Sequence, residues 1–340
     1  PVCWVDFKPR DNDIVIATTL KAGTTWTQAL VVNLLFPDQN FPKNVTEFSP
    51  WLDSTDFPID VVLKELNGQK HRRVIKTHLP LDALHFFPEI KYIYVSRDGR
   101  DVALSLWNHH LNYIPEVYDM MNNSPELIGD KFPLPPEDFH TYWRDWCTKG
   151  WFDWESDGYP FWSHLQGVQS WWNYRHLPNI LFMNYADMKK DIKASIEKIA
   201  NFLNIEVTSD RINDVEKKIS IKAMREAAET YVPDAGASWQ GGAKTFINRG
   251  INGRWKDILS QDELMLYDLA CDKILSPDCR DWLENGGYPS HVKHKTDNGI
   301  AITKQDMIDF HKAVSAKGWM GYNWPVEYGG TGWSATQLYI

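Results

Sequence analysis

The feature that most constrains the fold of this chain is a set of four short apolar runs, rich in Val, Ile and Tyr, that alternate with segments of helical periodicity. Such runs are typical of strands buried on both faces of a parallel sheet. The runs cover residues 13–17, 73–76, 92–96 and 180–184, and two of the helical segments cover residues 26–36 and 192–203. The alternation predicts an α/β fold with a central parallel sheet flanked by helices. Ligands of such sheets bind beyond the carboxyl ends of the strands, so we expect a site at the turns after Ala17, Lys76 and Ser96.

The composition of the 340-residue chain predicts a soluble protein without a nucleic-acid partner. Its net charge is −9, whereas binding to a phosphate backbone needs a basic face. No apolar stretch approaches the roughly 20 residues that span a bilayer, and residues 1–10 lack the layout of a signal peptide. The four cysteines are scattered without metal-ligand spacing, which predicts reduced thiols, a cytoplasmic location and no metal site.

The turn after the first run has the chemistry of an anion site. Residues 18–26 read TTLKAGTTW, and a helix is predicted to begin at once. Backbone N–H groups and the positive end of the helix dipole converge there, Gly23 permits close approach, and Thr24 and Thr25 add hydroxyl donors. Lys21 adds a charge but precedes the glycine, whereas the P-loop of nucleotide triphosphatases has Lys after the last glycine. The segment predicts a P-loop-like sheet with a phosphate-type ligand, and a plain helix cap is the alternative.

The turns after the second and third runs carry a candidate base and a candidate phosphate ligand. His78 follows the second strand beside Lys76, and Pro80 forces the chain out of regular structure, which leaves the imidazole in a loop. A neutral imidazole can take a proton from an attacking hydroxyl, although an isolated histidine is more often structural. Arg97 follows the third strand and Ser105 lies in the next predicted helix. A guanidinium and a hydroxyl at a helix start suit a phosphate, and a surface ion-pair turn is the alternative.

A basic glycine loop lies late in the chain. Residues 246–256 read FINRGINGRWK and combine basic side chains with two glycines. Such a loop can wrap an anion with backbone and side-chain donors, or it can be an ordinary turn before the helix predicted over residues 262–274. Taken together, the turns and the loop predict one ligand with two separated phosphate-like groups.

These segments together resemble those of the cytosolic sulfotransferases, over residues 2–288. KAGTTW at 21–26 resembles the loop that holds the 5′-phosphosulfate, and KTHLP at 76–80 resembles the catalytic histidine segment. YADMK at 185–189 is similar to the segment whose tyrosine reaches the adenine, and residues 246–256 are similar to the basic glycine signature of the family.

The resemblance implies transfer of a sulfuryl group from 3′-phosphoadenosine-5′-phosphosulfate (PAPS, product PAP) to a hydroxyl of a small molecule, without a metal. It implies catalytic roles for Lys21, Lys76 and His78, with His78 as the general base. The residues implied to hold the donor are Lys21, Ala22, Gly23, Thr24, Thr25, Trp26, Arg97, Ser105, Tyr185, Asn248, Arg249 and Gly250. Among them Trp26 would stack on the adenine, and Arg97 and Arg249 would contact the 3′-phosphate.

Three positions depart from the family pattern. Asn248 replaces the first arginine of the basic signature, which removes one charged donor from the 3′-phosphate. Arg254 replaces an aspartate, a change expected to have little consequence. The dimer segment of the family, which would begin at Lys256, is not matched, so the oligomeric state is left open.

The end of the chain predicts a separate piece. Residues 1–288 are expected to form the sulfotransferase domain and residues 289–298 a linker. Residues 299–340 resemble the start of an acyl-CoA dehydrogenase, because WPVEYGG at 324–330 follows a predicted helix at 304–317. This segment predicts a short helical appendage, and it is too short to build a flavin site.

The acceptor is the least determined part of the predicted reaction. Aromatic segments at Trp107, 151–154 and 161–172 favour an apolar pocket for an aromatic or hydrophobic alcohol, and residues 115–137 predict a surface loop or lid. The sequence is also compatible with two other functions. One is a kinase-like phosphotransferase, and the other is a catalytically silent nucleotide-binding protein of the same fold.

Overall fold

The structure is a computed structural model, and it describes residues 2–37, 44–54, 58–123 and 130–287. Residues 1–286 form one compact unit. The predicted linker at 289–298 and the predicted helical appendage at 299–340 lie outside the described residues.

A parallel sheet of four strands forms the centre of the described part of the chain. The strands are β1 (Ile14–Thr18), β2 (Val74–Thr77), β3 (Lys91–Ser96) and β4 (Ile180–Asn184). Their spatial order is β2-β1-β3-β4, and Ile14 pairs with Val74 on one side and with Lys91 on the other. Each strand lies within one residue of its predicted bounds at both ends. The predicted α/β fold with a central parallel sheet is confirmed.

Helices surround the sheet. Within the described residues the α-helices are α1 (Val2–Asp6), α2 (Thr24–Leu35), α3 (Val45–Phe48), α4 (Ile59–Gly68), α5 (Gly99–Leu111), α6 (Pro115–Asn122), α7 (Phe139–Thr148), α8 (His164–Trp172), α9 (Tyr185–Lys190), α10 (Ile192–Phe202), α11 (Ser209–Lys218), α12 (Ile221–Glu226), α13 (Ala228–Tyr231), α14 (Ala243–Phe246), α15 (Gln261–Ile274) and α16 (Pro277–Asn285). Short 3₁₀ turns cover Leu81–Ala83, Pro233–Gly236 and Arg254–Asp257.

The start of the predicted loop at 115–137 is helical, which corrects that expectation. α6 begins at Pro115, and Glu116 follows in its first turn. Proline is favoured at this position because the first N–H groups of a helix make no intrahelical hydrogen bond, and a carboxylate there interacts favourably with the helix dipole. Proline and acidic residues favour turns, but the same residues also favour the first turn of a helix. Composition alone therefore did not distinguish the two structures.

The two faces of the sheet are covered by different helices because side chains alternate along a strand. On one face Ile93 of β3 belongs to the same buried core as Leu30 of α2 and Ile196 of α10. On the other face Tyr94 stacks on Trp171 of α8, with the ring centroids 5.0 Å apart. Both faces of the strands are thus buried, as the nearly continuous apolar runs predicted.

The strand order creates a crevice at the carboxyl ends of β1 and β3. These strands are neighbours, but the chain leads from β1 to β2 on one side and from β3 to β4 on the other. In open α/β sheets, ligands bind at such a reversal. α2 begins at Thr24 and α5 at Gly99, shortly after these two strands, so both helix N-termini lie at the crevice.

Candidate active site

The turn between β1 and α2 forms the first wall of the site. Lys21 and Gly23 adopt positive φ angles of 59° and 117°, and no side chain caps the N-terminus of α2 at Thr24. Only glycine fits at position 23, since a Cβ there would lie 2.8 Å from Cδ2 of Tyr185. The backbone N–H groups of the first turn of α2 are therefore without a side-chain acceptor, as a phosphate receptor requires.

The ammonium of Lys21 lies among aromatic rings and other cations. Its Nζ lies 3.2 Å from Nδ1 of His109 and 4.4 Å from the ring centroid of Phe246. Burial, followed by repulsion from Arg97 and Lys76, lowers the pKa of Lys21 to about 7. These three predicted site residues therefore share one region, and its accumulated positive charge favours an anionic ligand.

His78 has the tautomer and charge of a base. Its Nδ1 lies 2.9 Å from the carbonyl oxygen of Thr18, which can only accept, so Nδ1 carries the hydrogen and Nε2 keeps its lone pair. Burial, with repulsion from Lys76 and Lys21, holds the pKa of His78 well below its usual value. The imidazole is consequently neutral near pH 7. The hydroxyl of Thr18 lies 2.6 Å from the hydroxyl of Thr24, so Thr18 links His78 to the first residue of α2.

A segment before α4 completes the surroundings of His78. Trp51 forms a parallel bridge with Lys76 of β2, its ring lies edge-on to the His78 ring at 4.8 Å, and Nζ of Lys76 lies 4.3 Å from its centroid. The half-buried carboxylate of Asp53 accepts hydrogen bonds from Trp51 and from Thr77. Asp53 therefore fixes both neighbours of the imidazole, and the sequence analysis did not identify it.

A second group of cations adjoins the first at the end of β3, and its members are Arg97, Lys189, Arg249 and Arg254. Arg97 donates from Nε to Oδ1 of Asn252 and from Nη2 to the carbonyl oxygen of Ile251, both at 3.1 Å, and its guanidinium lies 4.7 Å from the ring centroid of Tyr185. Asp101 lies 3.8 Å from Nη2 of Arg97 and accepts from the backbone N–H of Gly253. The late glycine loop is thus attached directly to the turn after β3.

The remaining predicted donor residues lie around these two groups. Trp26 packs edge-on against Tyr185 at 5.2 Å and donates to the carbonyl oxygen of Ile219. Ser105 is four residues after Asp101 on α5 and shares its helical face. Ala22 is fully buried in the turn.

The loop residues of the basic signature differ in exposure. Arg249 is exposed, and Asn248 uses its side-chain oxygen to accept from the backbone N–H of Arg249 at 2.7 Å. Gly250 has a φ of 60°, and its carbonyl oxygen accepts from Lys189. Asn248 is therefore engaged within its own loop, and its carboxamide stabilises the loop backbone.

The tertiary structure adds two histidines that the sequence analysis missed. His164, at the start of α8, lies with Nε2 3.1 Å from the carbonyl oxygen of Arg97 and with Nδ1 2.7 Å from the hydroxyl of Thr19. It therefore joins the turns after β1 and β3. His109 contacts Lys21 from the last turn of α5. The adjacent histidines 109 and 110 were the one signal in the sequence, but the partner of His109 is distant along the chain.

Two features are absent from the part of the chain that the structure describes. No group of three or more His, Cys, Asp or Glu residues has an arrangement that could hold a metal ion. No described helix is both long and apolar enough to cross a bilayer.

The observed residues fit a nucleotide with phosphates at two positions. The uncapped N-terminus of α2 lies beside Lys21 at one end, and Arg97 with the glycine loop lies at the other. Tyr185 lies between them, because its ring contacts Arg97 and Trp26 and occupies the space where a Cβ at position 23 would lie. The aromatic rings supply a surface on which a base can stack.

Comparison with known proteins relates this geometry to a family. The sulfotransferase domain model matches residues 11–277. A glycolipid sulfotransferase of Mycobacterium bovis is 31% identical over an alignment that covers 84% of this chain and 92% of that protein. The mouse protein sulfotransferase 1B1 is 27% identical, with coverages of 80% and 85%.

Solved structures show the same fold. A mouse sulfotransferase complexed with PAP superposes with a TM-score of 0.61 and 21% identity, covering 82% of this chain and 90% of that chain. A retinol dehydratase in complex with retinol and PAP gives a TM-score of 0.60 and 21% identity, with coverages of 84% and 86%. Since the domain match spans well over half of its length, this chain belongs to the sulfotransferase family.

Proposed function

We propose that this enzyme transfers a sulfuryl group from PAPS to a hydroxyl of a small hydrophobic or aromatic acceptor, with His78 as the general base. The observation that carries the proposal is the position of a neutral imidazole, with Nε2 unprotonated, in the same cluster of charges as Lys21 and Lys76. PAPS supplies the sulfuryl group and leaves as PAP.

The donor would occupy the crevice with its two phosphate-bearing ends on the two groups of cations. The first turn of α2 and Lys21 would hold the 5′ end, where negative charge increases during transfer. Arg97, Ser105 and the 248–250 loop would hold the 3′-phosphate. Two solved relatives of the same fold contain PAP, which supports this choice of nucleotide.

The residues of the chain would act by orientation and by proton transfer. His78 Nε2 would accept the proton of the acceptor hydroxyl, while its Nδ1–H stays bonded to Thr18 and keeps the ring in place. Lys76, beside Trp51, and Lys21 would stabilise negative charge on the transferred and leaving groups.

An aromatic wall beside His78 supports a hydrophobic acceptor. Trp51 contacts the His78 ring, Trp162 lies 6.3 Å from Trp51 and is 36% exposed, and Phe161 lies next to Trp162. By contrast, Trp171 packs in the core, so only the first part of the predicted segment at 161–172 is available to a ligand. One curated relative is named for glycolipids and one solved neighbour holds retinol, and both ligands combine a hydroxyl with a large apolar part.

We also place the enzyme in the cytoplasm. Each of the four cysteines is unpaired, and Cys147, Cys271 and Cys279 are buried. Reduced thiols are typical of proteins in a reducing compartment. Cell fractionation with a tagged chain tests this placement.

The test of the proposed function is an assay of acceptor alcohols with ³⁵S-labelled PAPS. We expect product with hydrophobic or aromatic alcohols, and we expect His78→Ala to reduce turnover by about 10²–10⁴-fold while PAP binding is retained. His176→Ala is the matched control, because His176 is exposed and precedes the start of β4, whereas the site lies at the carboxyl ends of the strands. Unchanged turnover in His78→Ala would contradict the role of this residue.

Thermal shift separates this function from the two alternatives. PAP should raise the melting temperature of the protein, whereas ATP with Mg²⁺ should not, because Lys21 precedes the glycine of its turn. Stabilisation by ATP with Mg²⁺ alone would favour a kinase-like phosphotransferase. Stabilisation by PAP without turnover of any acceptor would favour a silent binding protein.

A further inference from the structure

His109 is a half-buried titratable residue to which the proposed reaction assigns no role, yet it contacts Lys21 directly. Nδ1 of His109 lies 3.2 Å from Nζ of Lys21, and the same ammonium lies 4.4 Å from the ring centroid of Phe246. Among the described residues, no carboxylate pairs with Lys21. The hydrogen-bond partner of this ammonium is therefore a neutral nitrogen.

The imidazole of His109 is held in one orientation. Its Nε2 lies 3.1 Å from the hydroxyl oxygen of Tyr113, and its ring packs against Trp239 at 5.1 Å and Phe246 at 5.4 Å. The backbone after His109 is also fixed, because Tyr113 forms an antiparallel bridge with Trp239. When Nδ1 accepts from the charged Lys21, Nε2 must carry the hydrogen and donate to Tyr113.

A neutral acceptor has an advantage over a carboxylate at this position. A buried ammonium needs a hydrogen-bond acceptor, since leaving it without one costs the full desolvation penalty. A carboxylate would neutralise Lys21 and compete with the phosphate of the ligand, whereas an imidazole directs the ammonium and leaves its charge available. Burial, with repulsion from Lys21, holds the pKa of His109 well below its usual value, so the ring stays an acceptor near pH 7.

Lys21 is surrounded by several charged and titratable groups. The charged and titratable groups around Lys21 come from β2, from the turns after β2 and β3, and from α5 and its end. They are Lys76, His78, Arg97, His109, His110 and Tyr113. Those on β2 and after β3 are cations that oppose the charge of Lys21. On α5, His109 is the group whose nitrogen accepts from the ammonium.

We propose that His109 is a positioning residue, which holds the Lys21 ammonium against the Phe246 ring by accepting its hydrogen bond and so keeps it charged for the phosphate of the donor. This inference rests on the proposed function, because it gives Lys21 a phosphate to contact. It adds a residue that acts through Lys21 and does not touch the reacting atoms.

The test is the pH dependence of PAP affinity, measured by calorimetry from pH 6 to pH 9 on the full chain. In the wild type, affinity should fall by up to about tenfold per pH unit above pH 7, because binding then requires protonation of Lys21. Lys21→Met should abolish this dependence. His109→Leu should move the start of the fall about one pH unit lower, because the uncompensated ammonium loses its proton more readily.

A pair of isosteric variants keeps the test decisive if His109→Leu does not fold. The amide of His109→Asn lies near the position of Nδ1, whereas that of His109→Gln lies near Nε2. We expect His109→Asn to retain the pH midpoint of the wild type and His109→Gln to shift it as leucine does. The exposed His176→Asn is the control and should match the wild type.

Two results would overturn the inference in different ways. If the Lys21-dependent midpoint of the wild type is unchanged in both His109→Leu and His109→Gln, His109 does not position Lys21, and the proposed function stands. If the wild type does not bind PAP at any pH, the proposed function fails and this inference fails with it.

Discussion

At the scale of single residues, the proposed 3′-phosphate site combines cations that lie far apart in the sequence. Arg97 donates to the carbonyl oxygen of Ile251 and to the side-chain oxygen of Asn252. Lys189 donates to the carbonyl oxygen of Gly250. Burial, then repulsion from Arg249, lowers the pKa of Arg254, with a further contribution from Arg97. From the sequence, the arginine at position 254 was expected to have little consequence. Its guanidinium nevertheless lies close enough to those of Arg249 and Arg97 to be repelled by them.

We predict that Arg254→Ala lowers the affinity for PAP by about tenfold, the equivalent of one charge-assisted hydrogen bond. The affinity for 5′-AMP, which lacks the 3′-phosphate, should hardly change. Calorimetric titration with both nucleotides checks this, and Arg144→Ala is the control because Arg144 is exposed and lies on α7. Equal losses for the two nucleotides would show that Arg254 does not recognise the 3′-phosphate.

The departure at Asn248 has a local explanation at this scale. Its side chain caps the backbone N–H of Arg249, and Arg225 donates to the carbonyl oxygen of Ile247 in the same loop. Asn248 thus stabilises the loop that carries Arg249. The arginine that the family pattern has at position 248 is absent. Arg254 supplies a guanidinium close to Arg249 and Arg97.

At the scale of secondary-structure elements, the entry ends of β1 and β2 are joined by a buried ion pair. Arg73 donates to both carboxylate oxygens of Asp13 and, at 2.8 Å, to the carbonyl oxygen of Lys8. The side chains of Arg73 and Asp13 are 0% and 2% exposed. The guanidinium also lies 4.9 Å from the ring centroid of Phe7. The pair therefore fixes the register of β1 and β2. At their opposite ends β1 finishes at Thr18 and β2 leads directly to His78.

We predict that Arg73→Met lowers the free energy of unfolding by about 3–5 kcal/mol, because it leaves a buried carboxylate without its partner. Urea denaturation measures this. The control is Lys193→Met in the pair of Lys193 with Glu216, whose side chains are 53% and 38% exposed, and that change should cost about 1 kcal/mol or less. Similar losses in the two variants would mean that burial does not decide the strength of these pairs.

At the scale of the whole molecule, four desolvated histidines make the fold sensitive to acid. The affected side chains are His78, His109, His110 and His164. Burial is the largest cause in each case, and it lowers the pKa to about 3 for His110 and about 4 for His164. His110 has in addition no hydrogen-bond partner on either ring nitrogen among the described residues.

The direction of the pH effect follows from these shifts. The unfolded chain protonates its histidines near pH 6.5, whereas the folded chain keeps these four neutral to lower pH. Below pH 6.5 the unfolded state therefore binds more protons, and stability falls as the pH falls. Asp157 acts in the opposite direction, because burial raises its pKa to about 6 and the folded state takes up a proton there.

We predict that the free energy of unfolding decreases between pH 7 and pH 5, with each buried histidine contributing about 1.4 kcal/mol per pH unit below pH 6.5. His110→Phe should reduce this slope and raise stability at pH 7, since it removes two unpartnered polar atoms from a cluster of aromatic rings. Urea titrations at several pH values measure the slope, and the exposed His176→Phe is the control. An unchanged slope in His110→Phe would contradict the assignment.

Much of the architecture was determined by the sequence alone, because its signals are local. The apolar runs located every strand to within one residue, and the turn before Thr24 combined glycine, lysine and hydroxyls within a few positions. The family resemblance carried by these motifs is confirmed by the domain match over residues 11–277. The roles predicted for Lys21, His78 and Arg97 remain proposals, although the structure brings these residues to one end of the sheet.

Only the tertiary structure decided which distant groups meet. Thr18 selects the tautomer of His78 through a backbone carbonyl, and His109 reaches Lys21 across 88 positions of the chain. Burial and the approach of like charges set the pKa of Lys21, and both depend on how helices pack over the sheet. Local pattern specifies strands, turns and helix starts, whereas desolvation and long-range contacts exist only once the chain has folded.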